Sequence, residues 1–521
     1  MAGTVQASWG LAAPHGRPGA VRSVSGRANA ILLDGVAEMS ALGRMAAALL
    51  ADADVAFSGG KPPEDKPWRR VVSGTALQWW LDSGAAAAPG EVGAHGTTVD
   101  LGRRAMGHEG RSWCIVDATG APLFQPFHAL PVCCMEPYVA SLNLIESEDG
   151  GATWQLVADA HVSSARPYPE LLDVLGRTAT RLLRMALRSG DTPRRPWAPA
   201  PARPGPAQTL RGARLASGLA WLRARIGGEM YGVAILDRRP EEFLRDQRCS
   251  APQWVQIPLS QGFIADPFFW PGRPGVLLCE TYLHRTGLGE LTALSINAGH
   301  VVGSEPLPLG VAGHLSYPST WAEGERVVCL PEMAASRRQV LYELKLGKMP
   351  EPLCIVSEDI GMADPTLMKM DGLYWIAYTD TDIGTYDNLC LLHAPRLEGP
   401  WTPHAANPVK IDARSSRPGG TPFRVGGELY RPAQDCSREY GGALTINHVA
   451  VCTPDAYREE PVATLRPDPD GAFPDGLHTL SFGNGLAVID GKRNSYHPAI
   501  LAHKLSRRLI SLPGKLLAGK P

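Results

Sequence analysis

Four stretches decide the fold: ADPFFWPGRPGVLLCETY (265–282), SYPSTWAEGERVVCLPEM (316–333), ADPTLMKMDGLYWIAYTD (363–380) and GTPFRVGGELYRPAQD (420–435). All share one frame. An X-Pro step opens a short apolar strand, a Gly-containing turn follows, and a second strand ends in a polar residue. The prolines Pro267, Pro318, Pro365 and Pro422 recur at spacings of 51, 47 and 57 residues. A weaker fifth copy, GLHTLSFGNGLAVIDGKR (476–493), lacks the proline but keeps the hairpin. A period of this length with several strands per unit is the signature of a propeller blade. Five units predict a five-bladed β-propeller. A ring of blades has to close on itself, and GEMYGVAILD (228–237) is the expected partner strand for the last blade.

Working outward, the main composition shift is DTPRRPWAPAPARPGPAQ (191–208), a Pro-rich stretch expected to be an extended linker. It divides the chain into an α/β or α+β domain over 1–190 and a propeller over 209–505, with a tail over 506–521. The fold class expected is therefore mainly β, with a smaller mixed domain ahead of it. In the first part EMSALGRMAAALLADADV (38–55) and PELLDVLGRTATRLLRMALRSG (169–190) have helical apolar spacing. SWCIVDA (112–118), ASLNLIES (140–147) and ATWQLVADAHV (152–162) read as strands.

The 521 residues carry 51 basic and 52 acidic side chains, so nothing in the balance suggests a nucleic-acid footprint. No run of 18 apolar residues predicts a membrane span. The first residues lack the charged and apolar regions of a secretory leader, and a cytoplasmic location is expected. The ten cysteines form no CxxC pair and most sit in apolar runs, so reduced core thiols are expected rather than a zinc site. No metal or cofactor is expected from ligand spacing.

The repeat also points to chemistry. First strands of blades line a propeller's channel, so residues at the X-Pro steps converge on one of its ends. Asp266 and Asp364 occupy the same position two blades apart, and paired carboxylates facing one cavity suit glycosidic chemistry. Glu332, at the end of a second strand, is the candidate third carboxylate; Glu280, Asp380, Gln434, Asp435 and Asp490 end others. His314 precedes the blade-two step and is placed to meet a sugar hydroxyl. Arg417, beside Gly419 and Gly420, suits a carboxylate or phosphate. Each has an ordinary structural reading too: an Asp-Pro turn, a packing histidine, an inter-blade ion pair. Tyr317, Trp321 and Trp375 are expected to pack between blades, with sugar stacking as the alternative.

GFIADPFF, HLSYPS, LPEM, MADPTL, the EGPW–HAANPV junction (398–409), SSRPGGTPF and ELYRPAQDCSREYG resemble the N-terminal propeller module of plant glucosamine inositolphosphorylceramide transferases and its bacterial relatives. More distantly they resemble glycoside hydrolase family 43 and other five-bladed arabinanases and fructosidases. The resemblance covers roughly 215–500. The family 43 pattern implies a general base at Asp266 and an orienting carboxylate at Asp364. It also implies an acid on blade four, where this chain reads Gly419-Gly420-Thr421-Pro422 without a Glu. The plant proteins carry their transferase chemistry in a separate C-terminal domain. GRSWCIVDATGAPLFQPFHALP (110–131) faintly resembles a degenerate formyltransferase domain. Its His128 lacks the Asn that chemistry needs, and an inactive domain is expected.

The leading expectation is thus a glycoside hydrolase-like protein of inverting type acting in polysaccharide or glycolipid metabolism. Asp266 is its base, Glu332 its acid and Asp364 its orienting group, with His314, Arg417, Gln434 and Asp435 binding substrate. The alternative is a non-catalytic module that binds a glycan or glycolipid headgroup and partners a glycosyltransferase. A scaffold acting through its first domain is a third reading.

Overall fold

The computed structural model describes residues 228–495 apart from 246–251 and 258–261. Ahead of these it describes 31–34, 55–57, 97–100, 112–118, 120, 138–149, 151–164, 168–188 and 194–200. Of the helix expected over 38–55 only Val55 is described, as the start of a strand; His128, the tail and most of the Pro-rich stretch lie outside the described residues.

Five antiparallel sheets follow one another. Blade one comprises Gly262–Phe269, Val276–Leu283, Leu288–Asn297 and His300–Pro306; blade two Ser316–Glu323, Arg326–Glu332, Gln339–Leu344 and Glu351–Ser357. Blade three comprises Met362–Met370, Leu373–Asp380, Asn388–Ala394 and Thr402–Pro403, with Lys410–Ile411 also paired to its third strand. Blade four comprises Phe423–Val425, Glu428–Asp435, Ala443–Cys452 and Tyr457–Leu465. In the fifth sheet Leu480–Gly483 and Leu486–Ser495 are joined by Gly228–Leu236 and Gln253–Trp254, so the segment expected to complete the last blade does so.

Apolar cores fill the seams between sheets. Leu278 and Leu291 meet Cys329 and Tyr342 between blades one and two. Leu330 and Leu341 meet Ile376 between two and three, and Trp375 meets Val449 between three and four. Leu444 and Ile446 meet Leu480 between four and five. Val233 and Val488 of blade five meet Ile264 and Leu294 of blade one. Each blade therefore buries both faces, which explains why its inner strands read as near-continuous apolar runs. The burial of Trp375 and Tyr317 places both in packing. All cysteines among the described residues are free thiols.

The X-Pro steps have a specific backbone. Asp266, Tyr317 and Asp364 have φ of 51°, 46° and 48°. At each the strand register shifts, between Ala265 and Phe268, Ser316 and Ser319, and Ala363 and Thr366. These are β-bulges, which re-aim one side chain out of the pleat. A left-handed non-glycine residue costs on the order of 1–3 kcal/mol and persists where its surroundings hold it. Here the surroundings are neighbouring blades.

The first domain forms a seven-stranded mixed sheet in the order Val55–Phe57, Ile31–Asp34, Thr97–Asp100, Ser112–Val116, Val139–Ser147, Gln155–Ser163, Arg195–Pro196. The first four strands run parallel and the rest antiparallel. The helix Tyr168–Arg188 lays Leu175, Ala179, Leu182 and Leu183 on Leu142, Leu144, Ala160 and Val162. Part of the Pro-rich stretch is structured: Arg195 and Pro196 form the edge strand, and Trp197 packs with Cys114 and Val116.

Candidate functional site

The bulged residues gather a polar cluster from all five blades. Asp364 stands at the blade-three step of this cluster. Its Oδ2 accepts from Arg417 Nε at 2.6 Å and from the amide of Gln434, and its Oδ1 accepts from Arg417 Nη2 at 3.2 Å. Arg417 Nη1 donates to the Thr385 carbonyl at 2.7 Å. This guanidinium is buried yet held charged, its pKa pushed well above normal by Asp364, Tyr440 and Glu332 against the cost of burial. The fork, read from sequence either as a site for a substrate anion or as half of an inter-blade ion pair, is occupied by the protein's own carboxylate. Gln434 Nε2 also donates to the Pro418 carbonyl at 2.9 Å.

Glu332 Oε2 accepts the backbone N–H of Asp364 at 2.9 Å and lies 3.8 Å from Arg417 Nη2. Burial, then the nearby Asp364 charge, raise its pKa well above the usual range. Its side chain is 14% exposed, against 3% for Asp364 and 5% for Asp266, which makes it the carboxyl of the three most open to solvent.

Asp266 repeats the backbone relation two seams away, between blades one and five: its N–H donates to Asp490 Oδ2 at 3.0 Å. Its Oδ2 accepts the Tyr317 N–H at 3.2 Å and its Oδ1 accepts the Thr479 hydroxyl at 2.8 Å. His478 sits between the two acids, Nε2 3.4 Å from Asp266 Oδ1 and Nδ1 2.5 Å from Asp490 Oδ2, the latter off a hydrogen-bonding axis. Burial lifts the Asp266 carboxyl to about 6 against the pull of His478. The two carboxylates lift His478 to about 9 in spite of its burial. One ligand atom from each of Asp266, His478 and Asp490 falls within 4.8 Å of the others, the spacing of a cation site. With its proton on, His478 itself supplies the positive charge.

The other candidates sit further out. His314 Nδ1 accepts the Gly289 N–H at 2.8 Å, and its Nε2 is 3.6 Å from Glu280 Oε1. Burial lowers its pKa, so it is neutral. Glu280 is buried and its pKa raised well above normal, first by burial and then by the neighbouring acids. Asp435 accepts the Ser437 N–H at 3.0 Å and its hydroxyl at 2.6 Å, a local turn rather than a contact with the cluster.

Around the cluster runs an arc of rings. His314 lies 6.4 Å from Tyr282, which stacks on Phe263 at 4.7 Å; Phe263 lies 5.0 Å from Tyr231. Tyr231 stacks on His478 at 4.7 Å, His478 meets Tyr440 edge-on at 5.4 Å, and Tyr440 lies 5.8 Å from Tyr386. Arg417 lies over Tyr440 at 4.8 Å and Tyr386 at 5.8 Å. Phe263, Tyr282, His314, Tyr386 and Tyr440 are only half-buried, so parts of these rings reach solvent. Sequence reasoning missed His478, Thr479, Tyr231, Tyr386 and Tyr440. The first two had a signal: aligning the hairpin turns of blades two, three and five puts Thr479 opposite Ser319 and Thr366, the residues after the X-Pro prolines, with His478 beside it. The tyrosines lie in connecting segments or on the closing strand, where the repeat gives no register.

Residues 248–470, from just before blade one to just past blade four, match the family described as Glucosamine inositolphosphorylceramide transferase 1, N-terminal. That is a module of a carbohydrate-related family. Curated relatives named Glucosamine inositolphosphorylceramide transferase 1 match too. The Oryza sativa subsp. indica protein is 30% identical over 254 residues, covering 45% of this chain and 34% of that one. The Arabidopsis thaliana protein is 28% identical over 274 residues, covering 49% and 36%. The chain thus spans about a third of the length of these relatives. Solved structures that match include the catalytic domain of a Coprinopsis cinerea GH62 α-L-arabinofuranosidase, at TM-score 0.32 and 11% identity, covering 46% of this chain and 94% of that one. A family 117 glycoside hydrolase from Zobellia galactanivorans matches at TM-score 0.32 and 9% identity, covering 52% and 92%. No helix among the described residues is long and apolar enough to cross a membrane.

Proposed function

We propose that this end of the propeller is a carbohydrate-recognition site that takes a sugar or glycolipid headgroup, and that it binds without cleaving. The observation that carries the reading is the Arg417–Asp364 pair. At the blade-four edge, where the family 43 resemblance implies a general acid, the chain offers Gly419 and Gly420. The nearby Arg417 is spent on Asp364 and the Thr385 carbonyl. An orienting carboxylate bonded in this way is held rigidly but has little capacity left for a reacting sugar. The half-buried rings supply apolar faces beside polar groups, the combination that ligand sites use.

A second reading is favoured by Glu332. Inverting hydrolysis requires one carboxyl as acid and a second as base, and Glu332 combines a raised pKa with partial exposure, so that in this reading it protonates the leaving oxygen while Asp266 activates water.

Titration calorimetry of the full chain against sugars, sugar acids, inositol phosphates, nucleotide-sugars and glycolipid headgroups separates the two. Saturable binding without release of reducing sugar supports recognition. Turnover that Asp266→Asn and Glu332→Gln each abolish establishes hydrolysis instead. A folded protein that binds none of the panel and releases no sugar counts against both.

A further inference from the structure

The two rings that flank Arg417 ride on segments that the first domain touches. Tyr440 follows residues 435–438, and these are anchored from outside the propeller. Ser163 Oγ, at the end of the strand Gln155–Ser163, donates to the Ser437 carbonyl at 2.6 Å. The Arg438 guanidinium lies 5.5 Å from the Tyr138 ring. The His161 carbonyl accepts the Ala413 N–H at 2.7 Å, and the Ala413 carbonyl accepts the Cys436 N–H at 2.7 Å. Two hydrogen-bonded routes therefore run from one strand of the first domain to adjacent residues of this segment. Between them Ile411, from the connection after blade three, is buried in the first domain's own core. Tyr386 lies in the loop between Asp380 and Asn388. The charge of Arg181, on the helix, acts on Asp387 and Asp380 at the two ends of that loop.

We propose that the first domain is a positioning domain for the propeller site: by holding residues 436–438 through Ser163 and Tyr138, it fixes the Tyr440 ring over Arg417. The inference deepens the carbohydrate reading, and depends on it only for its consequence in ligand binding.

Hydrogen–deuterium exchange on the full chain tests it. The pair of changes Tyr138→Ala and Ser163→Ala removes one ring contact and one hydrogen bond while leaving the propeller sequence intact. Amides in 436–442 are then expected to exchange roughly fivefold faster or more, the factor that one hydrogen bond of ordinary net strength gives. The strand Leu373–Asp380 is expected to be unchanged, and Ser163→Thr, which keeps the donor, to restore protection. Unchanged exchange in 436–442 overturns the proposal. So does faster exchange spread evenly over the blades, which is what a merely stabilising contact produces. In parallel, any panel sugar bound by wild type is expected to bind several-fold more weakly to the double variant. If wild type binds no sugar, the carbohydrate reading fails, and the exchange result still decides the positioning role.

Discussion

Arg417 and Asp364 meet across the seam between blades four and three in a two-pronged ion pair, Nε to Oδ2 at 2.6 Å and Nη2 to Oδ1 at 3.2 Å, with both side chains buried. The two residues lie fifty-three positions apart in sequence. It joins two blades and at the same time determines what the cluster has left to offer a ligand.

Arg417→Leu leaves Asp364 buried without its counter-charge. Breaking a buried pair in this way costs about 3–5 kcal/mol. A lower guanidinium midpoint at unchanged slope is expected. Arg417→Lys is expected to recover only part of the loss, because an ammonium lacks the planar fork. Adding Asp364→Asn to Arg417→Leu is expected to restore a good share, and a double variant no better than Arg417→Leu alone would contradict the pairing account.

The Asp266–His478 contact predicts a pH dependence. His478 holds its proton to about 9 in the fold, against about 6.5 when unfolded. Its contribution is therefore fully present below about pH 6.5 and is lost as pH rises through 9. Asp266, raised to about 6, acts in the same direction between about pH 4 and 6, because the folded protein again binds the extra proton. The unfolding free energy is expected to fall on the order of 2–3 kcal/mol between pH 6.5 and 9. His478→Gln is expected to flatten that slope. A wild-type stability that climbs over this range would remove the basis of the argument.

Gly420 has no room for a side chain. A Cβ there would lie 1.8 Å from the Leu480 carbonyl oxygen, and its φ is 124°. Its N–H also donates to the Tyr317 hydroxyl at 2.6 Å, linking blade four to blade two. Gly420→Ala is expected to open the seam to blade five at a cost of several kcal/mol. Thermal unfolding of this variant beside Gly426→Ala, whose position is in the left-handed region but in open space, separates crowding from backbone strain. Equal losses in both would show that strain alone acts.

Tyr440→Ala removes the ring beside Arg417. About tenfold weaker binding of any sugar that wild type binds is expected, a loss of about 1.4 kcal/mol. Tyr440→Phe keeps the ring face and is expected to bind within about twofold of wild type. If Tyr440→Ala binds like wild type in calorimetry, the sugar does not rest on the arc.

How much of this was legible in sequence follows from its physical origin. The blades were legible because their strands bury both faces and are separated by Gly-containing turns, so the chain repeats a local pattern that needs no distant partner. Asp266 and Asp364 were legible because a bulge at an X-Pro step is a local backbone event repeated in register. The strand that completes the fifth sheet was legible from the requirement that a ring close. His478 was hidden because its copy lost the proline that marks the step. Tyr231, Tyr386 and Tyr440 were hidden because connecting segments and a returning strand carry no period.

What tertiary structure alone decided is the state of the charges. Sequence placed carboxylates at one end of the blades and an arginine nearby. Only packing shows that Arg417 is committed to Asp364, that burial and Asp364 push the Glu332 pKa up, that His478 stands charged between Asp266 and Asp490, and that Asp435 turns to Ser437 instead. A side chain's charge in a buried cluster is set by neighbours a few ångströms away and by the water excluded from around it. Those neighbours come from five blades, and no stretch of sequence contains them together.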